Sequence, residues 1–231
     1  LMGIRGLQKM TLLDWPGRVA CTIFLEGCDF RCPYCHNSQL LARGEEPGIA
    51  LEELLAFLEK RRGLLDGVCV TGGEPLLWPG LSGLLEEIKG LGYPVKLDTN
   101  GAHPQGLRDL TERGLIDYVA MDIKNSPAKY AMTVGKPELD LKPVRESVSW
   151  LLEGRVDYEF RTTLVRQLHS KEDMEEIGLW IAGANRYFLQ NFVLRDTVPD
   201  QSLLPLEREE LERFVSLLRP LVREVQIRGE N

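Results

Sequence analysis

Apolar and polar positions along this chain switch repeatedly between two periods. Residues 19–25 form a β-branched, aromatic and apolar run long enough for a buried strand. Leu51, Leu54, Leu55 and Leu58 then recur on one helical face, with glutamate and lysine opposite and Gly63 closing the segment. Residues 44–48 between them read as a turn. The same alternation continues, with strands predicted over 68–71, 95–98 and 118–121 and helical faces at Leu81, Leu84, Leu85 and Ile88, then at Leu107 and Leu110. After an irregular stretch over 125–142, Val144, Val148, Leu151 and Leu152 return to helical spacing, and 158–165 alternates as a fifth strand. Ser170 with Asp173 three residues on predicts a helix cap, opening a helix that carries Met174, Ile177, Gly178 and Ile181. A sixth strand over 187–193, a helix with Leu211, Phe214, Val215 and Leu218, and a terminal strand over 224–227 complete the pattern.

Strand–helix alternation repeated about six times implies a parallel sheet with helical crossovers, an α/β fold. Ligand sites in such sheets lie beyond the carboxyl ends of the strands. Four unusual segments fall there: Cys28 to Cys35, Gly72 to Pro75, Asp98 to Gly101 and Asp122 to Lys124. No linker, repeat or low-complexity tract interrupts the chain, so residues 1–231 are expected to form a single domain.

Composition narrows the classes. A net charge of −7 argues against a general nucleic-acid binder. No apolar run reaches the ~18 residues of a membrane span, and the N-terminal residues lack a signal-like apolar region, so a cytoplasmic protein is expected. Five cysteines, three of them in one short stretch, suit ligands in a reducing compartment rather than a disulfide framework. Cys21 and Cys69 lie in apolar runs and read as small buried hydrophobes.

Gly27-Cys28-Asp29-Phe30-Arg31-Cys32-Pro33-Tyr34-Cys35-His36-Asn37 is the organising stretch, spaced Cys-x3-Cys-x2-Cys. Thiolates are soft ligands for iron–sulfur clusters and zinc. Three are too few for a closed zinc site, which needs a fourth ligand from His36, His103, His169 or another cysteine. A four-iron cubane on three cysteines instead leaves one iron open to bind another molecule. Gly72 and Gly73 lack a Cβ and permit close backbone approach. Asp122 and Lys124 alternate on one face of an extended segment, as do Glu159, Arg161 and Thr163 on the fifth strand. No nucleophile–base pair suited to hydrolysis is evident.

The cysteine spacing, Tyr34 before the last cysteine and Thr71-Gly72-Gly73-Glu74-Pro75 together resemble the radical S-adenosylmethionine superfamily. Cys35-His36-Asn37, Asp98-Thr99-Asn100-Gly101 and Met121-Asp122-Ile123-Lys124 narrow the resemblance to activases of glycyl radical enzymes. The stretch from Gly6 to Gly17 resembles the branch that activates anaerobic ribonucleoside-triphosphate reductase. The resemblance implies an open, partial (β/α)6 barrel, here with an extra terminal strand, and two cofactors, a 4Fe-4S cluster and S-adenosylmethionine. It places Cys28, Cys32 and Cys35 on the cluster. It puts Gly72, Gly73 and Glu74 at the methionine ammonium, Tyr34 and His36 by the adenine, and Asp122 and Lys124 at the ribose and carboxylate. Asp98 and Thr99 match positions that hold a monovalent cation in formate-lyase activases. Arg161 is a candidate for the cosubstrate carboxylate or the partner's loop, and Gln190 for the ribose, although its residue type departs from the formate-lyase pattern. The implied activity is reductive cleavage of S-adenosylmethionine and formation of a glycyl radical on a partner, anaerobic ribonucleotide reductase. A low-potential donor such as flavodoxin or ferredoxin would supply the electron. Alternatives are a pyruvate formate-lyase type activase, a small-molecule enzyme such as a 7-carboxy-7-deazaguanine synthase, and an iron–sulfur redox or scaffold protein.

Overall fold

The computed structural model describes residues 3–41 and 48–229, so most of the turn expected over 44–48 lies outside the described residues. Among the described residues eight strands follow chain order in a parallel-rich sheet that is not closed, and they alternate with helices as in an α/β fold. The chain divides into two compact units, Leu1–Asp29, Gln39–Thr99 and His103–Val119 in the first, Phe30–Ser38, Asn100–Ala102 and Ala120–Asn231 in the second.

In the first unit β1 (Ile4–Thr11) runs antiparallel to β2 (Ala20–Leu25), followed by α1 (Leu51–Lys60), β3 (Gly67–Gly72), α2 (Leu81–Gly90), β4 (Val95–Thr99) and α3 (Pro104–Glu112). Strands β2, β3 and β4 are parallel neighbours, with Ala20 opposite Gly67 and Val68 opposite Val95. Burial explains why these residues form strands: Ile23, Leu25, Val68, Val70, Val95 and Leu97 have no exposed surface. The helices cover one face through Leu54 and Leu58, Leu84, Leu85 and Ile88, and Leu107 and Leu110, all buried. Leu51 departs from the predicted face and is exposed, because it opens α1 ahead of the turn that meets the sheet. Trp15, Ala20, Cys69 and Tyr118 form a separate buried cluster. Strand β1 is not among the predicted elements: Gln8, Lys9 and Met10 are exposed in succession, so alternation is faint, and the pairing with β2 makes the strand.

The second unit contains α4 (Tyr130–Thr133), α5 (Lys142–Leu152), β6 (Asp157–Leu164), α6 (Lys171–Trp180), β7 (Arg186–Asn191), α7 (Arg208–Leu218) and β8 (Glu224–Arg228). The remaining strand, β5 (Tyr118–Asp122), contributes residues to both units. Strands β6, β7 and β8 are parallel neighbours, with Phe160 opposite Tyr187 and Arg186 opposite Glu224. The predicted cap of α6 is a full capping box, in which Ser170 and Asp173 each accept the other's backbone N–H. The irregular stretch over 125–142 holds the short α4, too brief to show helical periodicity.

Candidate functional site

The first unit gathers residues at the carboxyl ends of β2, β3 and β4. Strand β2 runs into Gly27 and Cys28, β3 into Gly73 and Glu74, and β4 ends at Thr99. Backbone bonds lace the first two ends together: Gly73 N–H donates to Leu25 O at 2.9 Å, and Glu74 N–H to Gly27 O at 2.7 Å. A Cβ on Gly72 would collide with the Leu25 backbone, and one on Gly73 with Gly27 O. Gly72 also has φ +127°, a conformation that favours glycine. The room the two glycines leave is therefore taken up by backbone, and it sets where Cys28 begins; Cys28 Cβ would lie 3.2 Å from a Gly73 Cβ.

Glu74 is fully buried, and one carboxylate oxygen accepts from Leu76 N–H at 3.1 Å and from the Thr99 hydroxyl at 2.8 Å. Asp98 accepts from the ammonium of Lys96, which stands two residues back on the same face of β4 and has no exposed surface. Asp29, directly after Cys28, lies 3.1 Å from His103 Nε2.

The second unit carries Cys32, Tyr34, Cys35 and His36. This segment is tied down from two sides. Arg31 N–H donates to Val134 O at 2.8 Å, and Asp200 N–H donates to Pro33 O at 3.0 Å. Thr197 Oγ1 donates to His36 O at 2.8 Å, and Ser38 Oγ donates to Thr197 O. Gly135, at φ +64°, sits where any side chain would strike Arg31 O. None of these anchors was anticipated. A glycine in the irregular stretch was visible, but nothing local says which backbone it must meet. His36 stacks on Phe192, with ring centroids 5.7 Å apart and planes at 7°, and its Nε2 lies 2.7 Å from Val193 O. Burial lowers the His36 pKa, with Arg195 adding to the effect, so the ring is neutral and Nε2 is the donor.

Asp122, Lys124 and Arg161 come together as one group. Lys124 Nζ lies 2.9 Å from Asp122 Oδ2, and Arg161 Nε lies 3.0 Å from Oδ1. Burial alone would raise the Asp122 carboxyl, but the Arg161 guanidinium and Lys124 ammonium outweigh it and hold the pKa at about 2. Burial would likewise lower Lys124, and the Asp122 carboxylate instead raises it well above the usual range. Glu159, on the Arg161 face of β6 as expected, is held by the two terminal guanidinium nitrogens of Arg228, at 2.6 and 2.8 Å. Gln190 is half-buried on β7 between Thr163 and Arg228.

His169, considered only as a zinc ligand, serves Lys124. Val165 N–H donates to Nδ1 at 3.1 Å, so the proton sits on Nε2, which donates to Lys124 O at 2.9 Å. Burial keeps this ring neutral too.

The residues present fit a cysteine-held cluster with a charged cosubstrate. None of the five cysteines forms a disulfide. Burial pushes the Cys32 thiol up to about 11 against the pull of Lys124, so metal binding must displace its proton. The Tyr34 hydroxyl is buried and has no hydrogen-bond partner among the described residues, an arrangement that a bound group would complete. Cys21 and Cys69 are fully buried, and desolvation raises both thiols to about 12, which keeps them neutral. Among the described residues no three His, Cys, Asp or Glu side chains converge on one metal-ion position, and no helix is long and apolar enough to cross a membrane.

Fold and strand-end chemistry place the chain among the open partial-barrel α/β enzymes. It belongs to the Radical SAM superfamily, whose family model matches residues 22–181. Its cofactors are a 4Fe-4S cluster and S-adenosylmethionine. A Methanocaldococcus jannaschii protein provisionally named a glycyl-radical enzyme activating enzyme is 30% identical, over 99% of this chain and 96% of its own length. The pyruvate formate-lyase-activating enzyme of Clostridium pasteurianum is 26% identical over 93% and 97%. Among solved structures, Streptococcus suis SuiB bound to S-adenosylmethionine superposes with a TM-score of 0.68 at 15% identity, over 87% of this chain and 48% of that one. This last likeness concerns the fold alone.

Proposed function

We propose that this chain is the activase of an anaerobic ribonucleoside-triphosphate reductase. Cys28, Cys32 and Cys35 would hold the cluster, and residues 1–231 would act as one domain. When bound, the cluster and S-adenosylmethionine supply reductive cleavage of the sulfonium, giving the radical that takes a hydrogen from a glycine of the partner. The chain's own residues bind and orient. The Asp122–Lys124–Arg161 group presents paired charge to the polar end of the cosubstrate, with Glu74 and Thr99 bracing the β3 and β4 ends. Tyr34 and His36 would lie by the adenine, and Gln190 would contact the ribose. Flavodoxin or ferredoxin would deliver the electron in a reducing cytoplasm.

The observation that carries the reading is the end-to-end likeness to the M. jannaschii protein, together with the signature from Gly6 to Gly17. The C. pasteurianum relative favours a second reading, in which the partner is pyruvate formate-lyase. Anaerobic incubation of the reduced, cluster-loaded protein with S-adenosylmethionine and each candidate partner separates them. A glycyl radical signal in the reductase alone supports the first reading, and one in the lyase alone supports the second. No 5′-deoxyadenosine from a fully loaded cluster would overturn both.

A further inference from the structure

Among the described residues Lys96 is the one lysine with no exposed surface. Its ammonium sits on the Asp98 carboxylate at the end of β4. On the neighbouring strand it stands opposite Cys69, whose thiol stays neutral, so Cys69 offers the ammonium no charge. Asp98 is thus a counterion of Lys96 rather than a vacant hard oxygen ligand. The Thr99 hydroxyl gives its proton to Glu74 and, being neutral, brings no charge of its own to a cation. The fate of a cation here is therefore decided at Asp98. A sodium or potassium ion placed on that carboxylate would stand beside a buried like charge, where water cannot screen the repulsion. The residues present do not fit the monovalent-cation site that the sequence resemblance implies.

We propose that Lys96 is a tethered cation: its ammonium takes the place at Asp98 of a sodium or potassium ion, and the protein needs neither ion to bind its cosubstrate. The ion pair itself is independent of the functional reading above; only the cosubstrate part rests on it. The proposal excludes a diffusible ion by geometry and charge. It also explains why a lysine is tolerated in the fully buried middle of a sheet strand, where an unpaired ammonium would not be.

Two measurements test it. First, S-adenosylmethionine affinity of the cluster-loaded chain is compared in potassium, sodium and choline chloride at constant ionic strength. Wild type should change by less than about twofold, whereas Lys96→Gln should lose about tenfold in choline and recover in potassium. A wild type that needs potassium or sodium overturns the proposal, as does a folded Lys96→Gln that binds equally well in all three salts. Second, the full chain is titrated with thallium(I), a potassium surrogate, and followed by thallium NMR. Wild type should show no saturable binding. Saturable binding by wild type that Asp98→Asn removes overturns the proposal, even where Lys96→Gln fails to fold. If wild type binds no S-adenosylmethionine at all, the functional reading fails, and the thallium titration still decides the role of Lys96.

Discussion

Arg161 Nε lies 3.0 Å from Asp122 Oδ1, and the Arg161 carbonyl accepts from the backbone N–H of the following residue, Ile123, at 2.7 Å. A side-chain ion pair and a backbone bond from the same two segments fix the carboxylate's orientation, and Lys124 takes its other oxygen. One carboxylate serves two largely buried cations, so its removal takes a counter-charge from both.

Asp122→Ala should therefore destabilise the chain by about 3 kcal/mol, the cost of breaking a buried pair from one side. It should also weaken S-adenosylmethionine binding by about tenfold while the iron content stays at wild-type level. Urea unfolding, a cosubstrate titration and an iron assay check the three parts. Loss of iron in this variant would show that the group supports the cluster segment instead.

The same group predicts an acid limb in stability. The Asp122 pKa is lowered from 3.8 to about 2 in the folded chain. Its contribution of about 2 kcal/mol is complete above the unfolded pKa and is lost as pH falls from about 4 towards 2. Unfolding free energy of the cluster-free chain against pH should show this loss in wild type, and Asp122→Asn should flatten it. An unchanged slope in the variant would assign the limb to other carboxylates.

Glycine substitutions should sort by what the added methyl meets. Gly135→Ala forces a methyl into Arg31 O at a positive φ and should cost more than about 2 kcal/mol. It should also lower iron content, because Arg31 leads into Cys32. Gly83, inside α2 with nothing within 4 Å of its added Cβ, should gain roughly 0.5–1 kcal/mol on change to Ala. Thermal unfolding with iron analysis of both variants checks the contrast.

The cysteines should divide three and two. Replacing Cys28, Cys32 or Cys35 by Ala should abolish cluster loading and cosubstrate cleavage. Replacing Cys21 or Cys69 by Ala should cost roughly 1 kcal/mol and leave iron unchanged. Iron-to-protein ratios after anaerobic reconstitution decide it, and iron lost with Cys21 or Cys69 would contradict the assignment.

The polar partnerships that brace these residues were the least visible features beforehand. Glu159 and Arg161 share a face of β6, which alternation reveals, but alternation does not reveal the distant charges that hold them. Glu159 finds Arg228, 69 residues on, which lies 3.3 Å from the Phe188 ring centroid. His169 looked like a spare metal ligand because its partners, Val165 and the Lys124 carbonyl, are defined only once the chain has folded. Strand β1 escaped notice for a related reason: only part of its length is buried, so its pairing with β2, and not its own periodicity, makes it a strand.

By itself the sequence determined the α/β class, the strand ends at Cys28, Gly72, Asp98 and Asp122, and the cluster-binding cysteine spacing. These features are local: periodicity, turn residues and ligand spacing act over a few residues. Tertiary structure alone decided which charges neutralise which. It set Lys96 on Asp98, Arg161 and Lys124 on Asp122, and the Leu25–Gly27 backbone in the room left by Gly72 and Gly73. Electrostatic pairing and steric fit act through space, and within the fold residues such as Asp122 and Arg161 become neighbours although they are 39 apart in the chain.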